Sequence, residues 1–343
     1  MIIEKEKFGT IPAVGEVHRY IMRNNREMEV RVLDYGGIIT DLIVPDRNNE
    51  SGNVVLGFDR LESYLGDQPY FGAMIGRFCN RIGGAKFAIR GKTYRLSANE
   101  GSNHLHGGFK GFDKKMWEVN TAISGKQLCL IMKYHSRDGE EGYPGNVTAE
   151  VTYTLNDHNE LVISCIAETD RPTHVNLTNH SYFNLNNCRG TIHRHELTLY
   201  ADRYTVLDEK SIPTGKIASV EGSPLDFRET RPIGERIAEV EPGYDLNYVL
   251  DIESRELKRV AVLHDPASGR TMEVHSTLPG IQLYTSNHVK GIRGRDGIIY
   301  GKHAAVCLET QYFPDSPNQL AFPSTLLNPG ERYTAQTLFR FNS

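Results

Sequence analysis

The sequence predicts an all-β protein, a large antiparallel β-sandwich with a few short helices, and three observations carry that expectation. Apolar and polar residues alternate with period two from end to end, turn-forming residues separate these runs at short intervals, and helical periodicity is scarce. The cleanest run is VTAEVTYTL, in which Val147, Ala149, Val151, Tyr153 and Leu155 oppose Thr148, Glu150, Thr152 and Thr154. Successive side chains on a strand point to opposite faces, so this pattern describes a half-buried antiparallel strand.

The other elements follow along the chain. MEVRVLDY reads as a strand after the turn at Asn24-Asn25, and RLESYLGD near residue 60 as a short helix. GRFCNRIGG places Asn80-Arg81 between Gly76 and Gly83, the composition of a surface turn. KFAIRGKTYRL is a hairpin with its turn at Gly91. In GSNHLHGGFKGFDKKMW, His104 and His106 precede a glycine pair that lets the backbone turn tightly. THVNLTNHSYFNL reads as one strand, HELTLYADRY as strand segments with His193 and His195 at an exposed entry, and PIGERIAEV near residue 232 as a second short helix. EPGYDLNYVL puts Asp245 between a Pro-Gly turn and an apolar strand; RTMEVHS follows a turn at Ser268-Gly269. In HAAVCLETQYFPDSPNQ, residues 304–310 form the last strand of interest.

At 343 residues the chain can bury a large core, and glycine and proline are spread along it without a linker, repeat or low-complexity block. A single domain over residues 1–343 is expected, since all-β units often run long. With 39 basic and 43 acidic residues the net charge is -4. No basic stripe is available to track a phosphate backbone or an anionic membrane, so nucleic acid and membrane partners are not expected. The start MIIEKEKFGTIPAV carries charges from residue 4 and lacks an apolar signal core. Five widely spaced cysteines without a C-x-x-C pair argue against a disulfide framework or structural zinc, and fit a reducing cytoplasm. Both a monomer and a homodimer are compatible with the chain.

Two histidine-rich stretches raise chemistry. On the strand through His180 one row of side chains is polar yet uncharged, His174, Asn176, Thr178, His180, Tyr182 and Asn184. Such a row is what the wall of a cleft for a neutral polar ligand would offer. His104-x-His106 suggests a metal, because side chains two apart share a strand face and imidazole suits Zn, Fe or Cu. Cupins use that arrangement with a Glu a few residues later, whereas here Gly107, Gly108, Phe109 and Lys110 follow. A metal is therefore not expected here. Glu309 shares its row with Ala305 and Cys307, so its carboxylate belongs among small, mostly apolar side chains. Buried carboxylates are rare unless paired or functional, and desolvation raises their pKa towards the range of a general base.

NHLHGGFKGFDKKMW, VNLTNHSYFNL, GYDLNYVL and CLETQYFPDSPNQ resemble, in order and spacing, the signature segments of the aldose 1-epimerase (galactose mutarotase) family, over about residues 35 to 335. The resemblance implies a galactose mutarotase-like supersandwich with an open carbohydrate cleft, no cofactor, and a free hexose such as galactose or glucose as substrate. Carried over by motif, it implies His180 as general acid and Glu309 as general base. Arg81, His106 and Asp245 are implied as ligands of the sugar hydroxyls and ring oxygen, with Asn80 and Gln282 as further binding residues. The extra histidine His104 is not expected to touch substrate. The chemistry implied is anomer interconversion, in which the C1 hydroxyl loses a proton while the ring oxygen gains one. That scheme requires a protonated His180, helped by a nearby carboxylate. A hexose-6-phosphate 1-epimerase would need more basic residues around the cleft, and a non-catalytic sugar-binding protein would need neither an acid nor a base.

Overall fold

The computed structural model describes residues 1–252 and 256–343. Three large sheets organise these residues. The first is an amino-terminal meander of five strands in sequence order, Ile2–Ile11, Gly15–Arg23, Glu29–Leu33, Ile39–Pro45 and Ser51–Asn53. The second has nine strands. One half runs Glu118–Ser124, Gln127–Ser136, Val147–Asn156 and Glu160–Thr169. The carboxy-terminal strand Tyr333–Asn342 then joins this half to Thr271–Ser276, Lys258–His264, Glu196–Leu199 and Arg231–Pro232. The third sheet runs Pro213–Ser219, Arg203–Leu207, Asp245–Val249, Gly280–Tyr284 and Cys307–Gln311. Strand pairing in all three is antiparallel.

The alternation read from the sequence sets the layers. Val147, Ala149, Val151, Tyr153 and Leu155 are buried, and the threonines and glutamate between them are not. They pack in one core with Leu246 and Tyr248, Ile281 and Leu283, and Leu308, the apolar row of the third sheet. Burying each such side chain contributes roughly 1.5–3 kcal/mol. Seating that row in the core leaves the opposite face of the third sheet, with Asp245, Gln282 and Glu309, turned towards a cleft.

The KFAIRGKTYRL hairpin forms as Lys86–Ile89 and Lys92–Arg95, with Arg90 and Gly91 both at positive φ as a two-residue turn demands. Of the two short helices expected, residues Leu61–Leu65 make one α-helical turn and Ile233–Glu235 and Ile237–Glu239 make two 3-10 turns.

Two expectations need correction. Residues 173–185 do not form one strand; only Thr173–His174 and Thr178–Asn179 are laddered, and the whole segment is buried. Its neighbours change along its length: Asn176 bridges Phe78, and Phe183 bridges Val55 and Val306. The polar row therefore does mostly internal bonding. Asn176 donates to Tyr312 O at 3.1 Å, Thr178 to Thr310 O at 2.8 Å and Asn184 to Ala304 O at 2.7 Å.

His193 and His195 are not exposed strand residues either. His193 lies in a 3-10 turn, and His195 is buried with Nε2 accepting the Leu185 N–H at 3.0 Å. Burial pushes His195 down to about 4 from an ordinary 6.5. Because the folded value is depressed for a base, the fold holds this ring neutral. Its contribution is intact above pH 6.5 and is lost as pH falls towards 4. At pH 5 that is about 2 kcal/mol, from roughly 1.4 kcal/mol per pH unit. Comparing urea unfolding of wild type and His195→Gln at pH 7 and pH 5 should show the wild-type advantage shrinking by that amount; a pH-independent gap would contradict the reading.

Candidate functional site

Register across the third sheet places the polar face. Asp245 lies opposite Tyr284, Asn247 opposite Gln282, and Gln282 opposite Glu309. Side chains at these matched positions are near neighbours on one face. Gln282 Nε2 donates to Asp245 Oδ1 at 2.6 Å, and Gln311 Nε2 donates to Gln282 Oε1 at 3.3 Å and Asn247 Oδ1 at 3.2 Å. The strand also needs Gly280, since a Cβ there would lie 2.5 Å from Asn247 Oδ1. The network locks the orientation of Gln282 and Asp245 before any ligand arrives.

Three loops supply the facing wall. Arg81 pairs its backbone with Leu105, and its guanidinium forks Glu100, with Nε to Oε2 at 2.8 Å and Nη2 to Oε1 at 2.7 Å. Its Nη1 lies 3.9 Å from Asp245 Oδ2. His106 takes a positive φ at the end of that short ladder, and a side chain on the next residue, Gly107, would strike Gly76 O. The Asn80 N–H donates to His106 Nδ1 at 3.2 Å, which leaves Nε2 as the protonated, donating nitrogen. The third loop is the irregular segment around His180, whose backbone is held by His180 N–H to Ala73 O at 2.9 Å. Its ring lies nearly parallel to Tyr182, with centroids 5.0 Å apart and 15° between planes.

All seven residues singled out in the sequence, Asn80, Arg81, His106, His180, Asp245, Gln282 and Glu309, line one cavity. Its volume of 210 Å³ is many times what a single water needs, roomy enough for a sugar ring. His104 lies outside it, bonded to Ser97 O and the Tyr143 hydroxyl. The sequence reading missed Tyr70, Glu100, Tyr284 and His288, which also line the cavity, whereas Tyr182 belongs to the row read as a cleft wall. Period two would have found Tyr284, two residues beyond Gln282. Glu100, Tyr70 and His288 lie outside strands and carry no such signal.

His180 and Glu309 are 4 % and 2 % exposed, and His180 Nε2 is 3.6 Å from Glu309 Oε2. His180 Nδ1 and Glu309 Oε2 have no hydrogen-bond partner among the described residues. Burial, reinforced by Asp245, pushes the Glu309 carboxyl well above its ordinary value, with Arg81 pulling the other way. Burial pushes His180 down to about 4, not up as the sequence argument required. The carboxylate expected to hold a proton on His180 is itself pushed towards its protonated form by the same desolvation. Desolvation thus favours the neutral pair, an uncharged imidazole beside a carboxyl that carries the proton. Asp245 is also raised by burial, against Arg81 and the Gln282 hydrogen bond.

The fold also makes a set of possible metal ligands that spacing does not reveal, His180, Cys307 and Glu309, with ligand atoms within 4.8 Å of one another. Cys307 and Glu309 share a strand face while His180 is remote in sequence.

A β-sandwich whose polar sheet face holds a buried histidine–carboxyl pair in a small polar cavity fits a carbohydrate-directed enzyme, and the known relatives of the chain are of that class. The chain belongs to the aldose 1-epimerase family, whose profile matches residues 18–340. It is 45% identical to the galactose mutarotase of Mus musculus, over 99% of this chain and 98% of that one. Identity to the galactose mutarotase of Homo sapiens is 43%, with 99% and 98% covered. Among solved structures, the GalM/aldose epimerase homologue from C. elegans superposes with a TM-score of 0.87 at 29% identity, covering 94% of this chain and 98% of that one.

Proposed function

We propose that the protein interconverts the α and β anomers of a free hexose such as galactose or glucose, with Glu309 as base and His180 as acid. The carrying observation is the buried pair at 3.6 Å, each member with a polar atom lacking a protein partner, within a ring-sized cavity. Family membership and the galactose mutarotase relatives support the substrate class.

Moving the shared proton from Glu309 to His180 converts the resting pair into the reacting one. Sugar hydroxyls donating to the carboxylate and accepting from the imidazolium favour that form, since hydrogen bonds to a charged state stabilise it. Glu309 then takes the C1 hydroxyl proton while His180 Nε2 protonates the ring oxygen. The C1–O5 bond breaks, giving the open-chain aldehyde; rotation about C1–C2 and reclosure with the proton transfers reversed give the other anomer. Arg81, His106, Asp245, Gln282 and Asn80 hold the remaining hydroxyls.

A phosphorylated hexose is disfavoured. Among the described residues Arg81 is the one arginine or lysine lining the cavity, and Glu100 already spans its guanidinium. The five cysteines are unpaired, which supports a reducing cytoplasmic setting. Among the described residues no helix is long and apolar enough to cross a membrane. Polarimetry of freshly dissolved α-D-galactose and α-D-glucose should show the protein accelerating the approach to equilibrium rotation. No acceleration with either sugar would overturn the proposal.

Asp245 is placed to position the sugar without exchanging its reacting protons. Asp245→Asn removes a charged acceptor worth about 1.5–3 kcal/mol, a loss on the order of 10- to 100-fold in kcat/KM. KM should rise and kcat fall together, because a shifted ring also loses near-attack geometry. Wild-type kinetics in this variant would remove Asp245 from the role.

A further inference from the structure

We propose that His180, Cys307 and Glu309 form a three-ligand site for a soft divalent cation, Zn²⁺ foremost, whose binding takes the acid–base pair out of use. This rests on the proposed roles of His180 and Glu309. Cys307 precedes Glu309 by two residues on a regular strand, so thiol and carboxyl leave the same face. His180 approaches that face from the opposite wall. The three ligand atoms lie within 4.8 Å of one another, and the His180 Nε2 to Glu309 Oε2 separation is 3.6 Å. Zinc bond lengths of about 2.0–2.3 Å at tetrahedral angles require ligand atoms roughly 3.3–3.7 Å apart. One edge of the tetrahedron is already at that length.

The donor chemistry agrees. Thiolate, imidazole and carboxylate are the three ligand types zinc takes, and three protein ligands leave a fourth position for water or a sugar hydroxyl from the cavity. A thiolate and a carboxylate against a dication leave no net charge, which matters where burial penalises any unbalanced one. Glu309 Oε2 has no competing partner among the described residues. His180 Nδ1 has no acceptor behind it among those residues, so the site lacks the backing that tightens permanent metal centres. Reversible inhibition follows, not constitutive occupancy. Thiol and carboxylic acid each give up a proton as the metal–sulfur and metal–oxygen bonds form, while His180 binds as the neutral ring. Metal binding thus releases protons, and affinity rises with pH while the ligand groups start protonated.

The experiment uses chelator-treated full-length protein. Zn²⁺ should lower galactose mutarotation reversibly, with recovery on adding chelator, and protons should be released as Zn²⁺ binds in weakly buffered solution. Cys307→Ser should retain turnover but need at least about tenfold more Zn²⁺ for the same inhibition, one strong ligand having been lost. Co²⁺ should give a near-ultraviolet cysteinate-to-cobalt charge-transfer band in wild type that is missing in Cys307→Ser, a readout independent of activity. Equal Zn²⁺ sensitivity of both proteins, activation by Zn²⁺, or no cobalt–thiolate band at saturation would overturn the proposal. Should Cys307→Ser not fold, the lack of a cobalt–thiolate band in wild type would do the same. A cobalt–thiolate band and proton release with turnover untouched by bound Zn²⁺ would support the metal site, overturn its inhibitory role, and count against His180 and Glu309 as the reacting pair.

Discussion

Glu309→Gln is expected to bind galactose nearly as wild type does and to lose turnover by on the order of 10² to 10⁴, the usual worth of general acid–base catalysis. The amide keeps the size and much of the hydrogen bonding of the carboxyl but cannot take the C1 proton. Calorimetric binding and polarimetric turnover should therefore separate; near-wild-type turnover would eliminate Glu309 as the base. The same change should stabilise the fold. Burial raises the folded-state pKa of Glu309 well above the ordinary 4.5. Its favourable contribution is thus full below pH 4.5 and is lost as pH rises through the folded value. Each unit of the shift corresponds to about 1.4 kcal/mol at higher pH, and Gln escapes that cost. The variant should melt above wild type at pH 7 to 8, with the difference narrowing towards pH 4. Activity lost with stability gained is the signature of a group buried for chemistry.

The sequence was most legible where one strand sees the same neighbours along its length. Val147–Asn156 is flanked by Gln127–Ser136 and Glu160–Thr169 throughout, and its alternation maps directly onto burial. Residues 173–185 fail that condition, because their bridges go to separate segments and the chain is enclosed on all sides. Polar residues there face protein and not ligand, so a row that reads as a cleft wall supplies only His180 and Tyr182 to the cavity. The first ten-residue strand, Ile2–Ile11, was invisible for the opposite reason. As an edge strand it is largely exposed, and its Glu and Lys residues guard an open edge, so it has little apolar periodicity.

The site divides along a similar line. His180, Asp245, Gln282 and Glu309 sit in segments distinctive enough to be singled out, and the register of Asp245–Val249, Gly280–Tyr284 and Cys307–Gln311 then brings the last three together. Glu100, which orients Arg81, comes from a turn whose sequence only says that it is a turn. The direction of the His180 shift was also out of reach. It depends on how deeply the ring is buried, a property of the packed site and not of the residue's spacing.

That coupling sets the last expectation. His180→Asn should fall in turnover by a factor similar to Glu309→Gln, and the double variant should lose far less than the product of the two, since the residues act as one unit. The active pair carries one proton, so kcat/KM against pH should be bell-shaped. On the acid side a second proton enters the neutral imidazole, which burial pushes down to about 4. On the alkaline side the pair loses its only proton, held by a carboxyl that burial pushes well above 4.5. The apparent values belong to the pair and not to either residue. Each single variant should retain at most one limb: His180→Asn has no imidazole to take the second proton, and Glu309→Gln has no carboxyl to hold the first. An acid limb unchanged in His180→Asn would assign that titration to another group, and full multiplicativity in the double variant would show two independent residues where the structure places a 3.6 Å pair.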